Sequence, residues 1–191
     1  MDESVQVFTL SNIERRRHQE HMLSSRSDDY SRAVILNSHD HPVGSFRFKI
    51  SRKGGFLPSD ITQVEGVFDL FGVSISLSES RIHLWSKEQS DDALPSVFQG
   101  SYGRMEPFAV GDDNKKLLIE HKKILGIFPV NTIFIKRDDH LLAAVKLRNS
   151  STRVFSFEER LSLDETALVV CLYYLDEAHR HTVALDAVPF S

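Results

Sequence analysis

The side chains in this chain with the clearest chemical potential are cations. Arg47, Lys49, Arg52 and Lys53 fall within FRFKISRK, and Lys122 and Lys123 close IEHKK. If the strands carrying them end on one rim of a barrel, their guanidinium and ammonium groups form a patch that attracts phosphates. Hairpin ends in soluble proteins also carry Lys and Arg simply to stay solvated and to guard sheet edges. The other reactive residue types do not assemble into sites. His39-Asp40-His41 offers two ligands of a metal site, but no cysteine or distant histidine spacing completes one, and a water-exposed turn is the plainer reading. His179 and His181 are accounted for by the end of a helix. Cys171 sits inside an apolar run, where burial raises a thiol's pKa and makes it a small core residue rather than a nucleophile. The sequence has no P-loop, GxSxG, GxGxxG or HExxH. An enzymatic reading therefore has nothing specific to rest on, and no cofactor is expected.

Length and composition frame what must position these residues. At 191 residues with 41% hydrophobic content, residues 1–191 fit a single globular domain able to bury a core. A formal charge of -4 gives no global pull toward nucleic acid or anionic membrane, so any such affinity must be local. One cysteine forms no internal disulfide, and MDESVQVFTL lacks the layout of a secretory signal, so a cytoplasmic location is expected. No run reaches the roughly 18 apolar residues of a membrane-spanning helix.

A pattern recurs along the chain: an apolar run, a polar break rich in aspartate, then a second run. Thr132 to Lys136 meets Arg137-Asp138-Asp139-His140 and returns through Leu141 to Leu147. Pro107 to Val110 meets Gly111-Asp112-Asp113-Asn114 and returns from Lys115, and Ala33 to Leu36 meets residues 37–41 and returns as PVGSFRFKI. Aspartate tolerates turn geometry and caps its own backbone, so each unit predicts a β-hairpin. In the last, Val43, Ser45, Arg47 and Lys49 face one side of the strand, and Gly44, Phe46, Phe48 and Ile50 the other. Further strands are predicted at Val5–Leu10, Val64–Leu70, Val73–Leu77, Arg81–Ser86 and Val154–Phe157. About a dozen short strands point to a barrel or sandwich. SNIERRRHQEHMLSSRS, residues 11–27, has too few apolar residues to hold a face against a core. Residues 11–30 are accordingly expected to be a mobile polar insertion, an exposed loop or short helix.

One segment is different in kind. LDETALVVCLYYLDEAHRH has Asp164 as a candidate N-cap, acid after it, and His179, Arg180 and His181 at the far end to suit the helix dipole. Ala167 to Leu175 leave no polar face, and a helix apolar all round must be enclosed. In a protein of strands, the sheet has to wrap around it.

Taken together, the hairpins with Asp-rich turns and Lys-terminated strands (Leu141 to Lys146), the last strand Val154 to Phe157, and the helix signature Leu163-Asp164, Ala167 to Val170 and Leu175-Asp176-Glu177 resemble the tubby C-terminal-like superfamily, in its LURP-one-related and phospholipid scramblase-like branch. The likeness covers roughly residues 105 to 180. It implies a mainly β fold, a closed antiparallel barrel of about twelve strands around one buried C-terminal hydrophobic helix. Members differ in function: tubby domains bind phosphoinositides through basic residues, scramblases are linked to calcium-dependent lipid movement, and LURP-one-related proteins are associated with defence. The acidic segment before the helix, with Glu158, Glu159, Asp164 and Glu165, lacks the alternating oxygen ligands and glycine of a calcium loop, so no metal is expected. The resemblance and the basic rim together lead to a non-enzymatic binding module for phospholipid headgroups or an acidic partner, cytoplasmic or peripheral at a membrane. A protein-interaction module using Arg15, Arg16 and Arg17, or an enzyme or small-ligand carrier with a cavity beside the helix, are the alternatives.

Overall fold

The computed structural model describes residues 5–19, 26–53, 61–78, 81–86, 96–99, 108–110, 115–124, 128–137, 140–158 and 160–186. They form a mainly β protein with one helix. The strands are β1 (Val5–Gln19), β2 (Arg26–Leu36), β3 (Pro42–Lys53), β4 (Ile61–Leu70), β5 (Val73–Ser78), β6 (Arg81–Ser86), β7 (Ser96–Gln99), β8 (Phe108–Val110), β9 (Lys115–Ile124), β10 (Phe128–Arg137), β11 (His140–Leu147) and β12 (Thr152–Phe157). The helix α1 (Leu163–Asp186) follows. Eight strands, in the order β10-β11-β12-β1-β2-β3-β4-β5, make one continuous antiparallel sheet curled around α1. Further ladders through β6, β7, β8 and β9 run from β5 to β10, and β7 meets β8 at a single pair, Gln99 with Ala109.

Alternation along the strands builds the core. On β3, Phe46, Phe48 and Ile50 are buried while Arg47 is exposed, as the period of two requires. The inward side chains meet α1, on which every residue from Ala167 to Leu175 is at most 4% exposed. Aromatic contacts tie helix to sheet: the Tyr173 ring stands edge-on to Phe155 at 5.3 Å, and Tyr174 stacks on Phe46 at 5.3 Å. Cys171 is fully buried, which pushes its thiol's pKa up and leaves it inert. Among the described residues no helix is long and apolar enough to cross a membrane.

Three expectations need correction. Residues 11–30 are not a loop or short helix where described; they belong to β1 and β2, paired from Thr9 with Leu36 to Gln19 with Ser27. The alternation there is concealed by a bulge between Ser11 and Glu14, with Asn12 at φ 51, which inserts a residue and resets the period. Past the bulge, charged pairs across the strands do the work of apolar ones: Arg32 with Glu14, and Lys49 with Asp28 at 3.4 Å. Second, the helix cap is Ser162 rather than Asp164. Ser162 Oγ accepts from the Glu165 amide at 3.2 Å, and Glu165 Oε2 accepts from the Ser162 amide at 3.0 Å, a reciprocal capping box spelled S-L-D-E. Arg137 also donates to Glu165 at 2.6 Å. Burial alone would raise the Glu165 pKa, but these hydrogen bonds outweigh it and hold the carboxyl below its usual range. Third, α1 continues to Asp186, so His179, Arg180 and His181 are not its last turn. Asp112-Asp113 and Asp138-Asp139 lie outside the described residues, but the strands flanking them pair as hairpins, Val110 with Lys115 and Arg137 with His140. The strand at Ser96–Gln99 was not expected from sequence.

Glycine sets the spacing of β3 and β4. A Cβ on Gly66 would lie 2.2 Å from the Arg47 carbonyl oxygen, and one on Gly44 would lie 2.1 Å from that of Asp69. Both obstacles are backbone, so the strands themselves would have to part. Gly66→Ala is expected to lower stability by about 1–3 kcal/mol, seen as an earlier urea midpoint. An unchanged midpoint would mean that this close approach is not kept in solution.

A candidate anion groove on the outer face

Beyond the bulge, the outward residues of β1 to β4 line up in cross-strand rows. One row runs Glu14, Arg32, Arg47, Val67, and the adjoining one Ser11, Val34, Ser45, Asp69. A groove of about 860 Å³ lies over these rows, with Asn12 and Ile13 of the bulge forming part of its wall. Ile13 and Val67, 39% and 46% exposed, give it apolar shoulders.

The charges in the groove are unevenly matched. Arg32 Nη2 donates to Glu14 Oε1 at 2.5 Å, and that hydrogen bond holds the Glu14 carboxyl below its usual range and raises the Arg32 guanidinium. Arg16 approaches the other oxygen of Glu14 at 3.5 Å. Arg47, directly opposite Arg32, is exposed and makes no ion pair or side-chain hydrogen bond among the described residues. Asp69 could have answered it, but accepts a hydrogen bond from Ser74 on β5 instead. Like charges directly opposite on neighbouring strands repel. Glu14 thus serves two guanidiniums and leaves Arg47 unmatched, and the seat between Arg32 and Arg47 suits an incoming anion with two or three oxygens.

Of the expected basic rim, the side chains of Arg47 and Lys49 are among the described residues. Arg47 enters the groove. Lys49, two residues on, faces the same way, but its ammonium is taken by Asp28 at 3.4 Å and Glu65 at 3.8 Å. Arg52 and Lys53 end β3, while Lys122 and Lys123 lie near the end of β9, six places away in the strand order; these four side chains fall outside the described residues. β3 and β9 run in the same direction, so both clusters stand at the same end of the sheet without adjoining. His39 and His41 are exposed in the β2–β3 turn, where Asn37 Oδ1 accepts both of their amides at 2.9 and 3.1 Å. Sequence reading missed Arg32 and Glu14, which become neighbours of Arg47 only through the register of three strands.

A second charged cluster is closed to ligands. Arg153 on β12 is 2% exposed and binds Glu177 of α1 through two hydrogen bonds, Nε to Oε2 at 3.1 Å and Nη2 to Oε1 at 2.5 Å. Its remaining donors go to the carbonyls of Asn149, Ser150 and Thr152. Burial works against the charged guanidinium, but Glu177 outweighs it and raises its pKa. The neighbouring Tyr174 hydroxyl is pushed well above its ordinary pKa by burial and then by the Glu177 charge. Comparison with family models, characterised proteins and solved structures finds no match to the chain.

Proposed function

We propose that the protein is a non-enzymatic β-barrel binding module that takes an anionic phospholipid headgroup in the β1–β4 groove at a membrane surface. The observation that carries this reading is the in-register opposition of Arg32 and Arg47 with only one of them neutralised. A phosphate bridging both guanidiniums would relieve their repulsion, and Ile13 and Val67 would lie against the apolar part of the interface. Arg52 and Lys53, later on the same strand, extend the positive stretch of β3. The reading takes the sheet as a complete twelve-stranded barrel of the tubby C-terminal-like kind that the sequence resembles. The pairing order, in which each strand has a neighbour on both sides over part of its length, supports that.

Sedimentation with phosphatidylcholine vesicles containing anionic lipid is the direct test. A charge-assisted hydrogen bond contributes about 1.5–3 kcal/mol, so Arg47→Glu is expected to weaken binding by about tenfold or more. Lys146→Glu, an equal charge change at an exposed site on β11, is expected to leave most of it intact. Binding also falls as salt rises, since charges more than ~10 Å apart are screened at 0.1 M. Equal losses in the two variants would reduce the effect to diffuse attraction, and no sedimentation of the parent protein would end the lipid reading.

A further inference from the structure

β1 is much longer than its partner on one side. Its ladder with β12 covers only Val5 to Thr9, and the last contact is the Leu10 amide donating to the Ser151 carbonyl. On the other side, pairing with β2 continues to Gln19. Among the described strands, the stretch Asn12–Gln19 is therefore hydrogen-bonded along one edge only. An edge of this kind is a template for an added strand.

Its charge selects the occupant. The stretch reads NIERRRHQ, three arginines against one glutamate. Arg16 is 77% exposed at its side chain and reaches Glu14 only at 3.5 Å. Arg15 turns toward Glu177 at 3.7 Å, so its own contact lies on the helix side. Two copies of this edge paired about a twofold axis would bring arginines against arginines, which disfavours self-association. An acidic strand meets the opposite situation, with carboxylates laid beside guanidiniums while the backbones pair. The bulge with Asn12 at φ 51 shifts the register of the β1–β2 ladder just past Thr9, where pairing with β12 ends, and so marks one end of the available edge. We infer that the Asn12–Gln19 edge of β1 is a docking site at which an extended acidic segment of a partner protein adds as a further β-strand.

This site adjoins the groove, whose lining includes Asn12, Ile13 and Glu14, but it uses the backbone of β1 rather than the outward guanidiniums of Arg32 and Arg47. The probe is a blocked octapeptide of alternating Glu and Val, added to the full chain and followed by amide hydrogen exchange. Expected is at least tenfold slower exchange at several amides within residues 12–19 when peptide is present. The same peptide N-methylated at alternate residues should give no protection, and an alternating Lys and Val peptide should give none either. Arg16→Glu should weaken the effect severalfold, whereas Arg47→Glu should leave it, which separates this test from the vesicle test. The inference is overturned by protection that appears elsewhere, by equal protection from the lysine peptide, or by no protection at all. It is also overturned if the free chain already protects this edge, through its own residues or through a dimer seen by sedimentation equilibrium.

Discussion

Val170→Asp is expected to abolish the cooperative fold or leave it with a small fraction of its stability. Val170 is 0% exposed, and its neighbours along α1, Val169 and Cys171, are 1% and 0% exposed. Among the described residues the one buried cation is Arg153, and it is committed to Glu177 and to three carbonyls. The group must either stay charged without a partner or take up a proton and bury an unsatisfied carboxylic acid, and either route costs several kcal/mol. Losses above about 4 kcal/mol are exceptional for one substitution, yet this site combines complete burial with a helix packed on all sides. Against a typical total of about 5–15 kcal/mol, most of the folded population is lost. Thermal and urea unfolding followed by circular dichroism measure this. Leu163→Asp, at a position 50% exposed in the first turn, supplies the contrast and should change little. A melting temperature for Val170→Asp within a few degrees of the parent would show that α1 is not the centre of the core.

Why that helix can be read from sequence while the groove cannot is a matter of range. Nine successive apolar residues, Ala167 to Leu175, require enclosure whatever surrounds them, because the requirement is local. The alternation Phe46, Phe48, Ile50 against Arg47 and Lys49 is equally local, and it correctly sorts the two faces of β3. Beyond Leu10 the same method fails, since the bulge at Ser11–Glu14 shifts the alternation and the faces past it are held by ions rather than apolar side chains. The missed cap at Ser162 was available as an S-x-x-E spacing, but the acidic Asp164 inside it drew the assignment two residues too far. The groove required more: Arg32 and Arg47 are neighbours only when β2 and β3 pair in one particular register, and Glu14 joins them only through β1. Single-strand periodicity contains no register between strands.

Arg153 and Glu177 show the same limit at its most extreme, and they set the second large expected effect. Nothing in RVFSF or LDEAH distinguishes these residues from solvated charges, yet they are 24 positions apart and paired in the interior. Arg153 spends donors on both Glu177 oxygens and on three carbonyls of the Asn149–Thr152 stretch, so one side chain joins the β11–β12 turn, β12 and α1. Arg153→Met removes those bonds, which include the two that Glu177, itself 6% exposed, receives from the guanidinium, while Arg15 stands farther off at 3.7 Å. Breaking one side of a buried pair costs about 3–5 kcal/mol, chiefly because a desolvated charge is left behind. Glu177→Leu strands the guanidinium instead, though its carbonyl partners remain and soften the loss. Removing both charges is expected to be less damaging than removing Arg153 alone, because the transfer of two ions out of water no longer has to be offset. The double-mutant cycle by urea denaturation therefore yields a coupling energy that the surface pair Arg32–Glu14, exposed on both sides, should not approach. If the single losses simply add in the double variant, the two residues act independently, and the junction between β12 and α1 is held by its aromatic packing through Phe155, Tyr173 and Tyr174 instead.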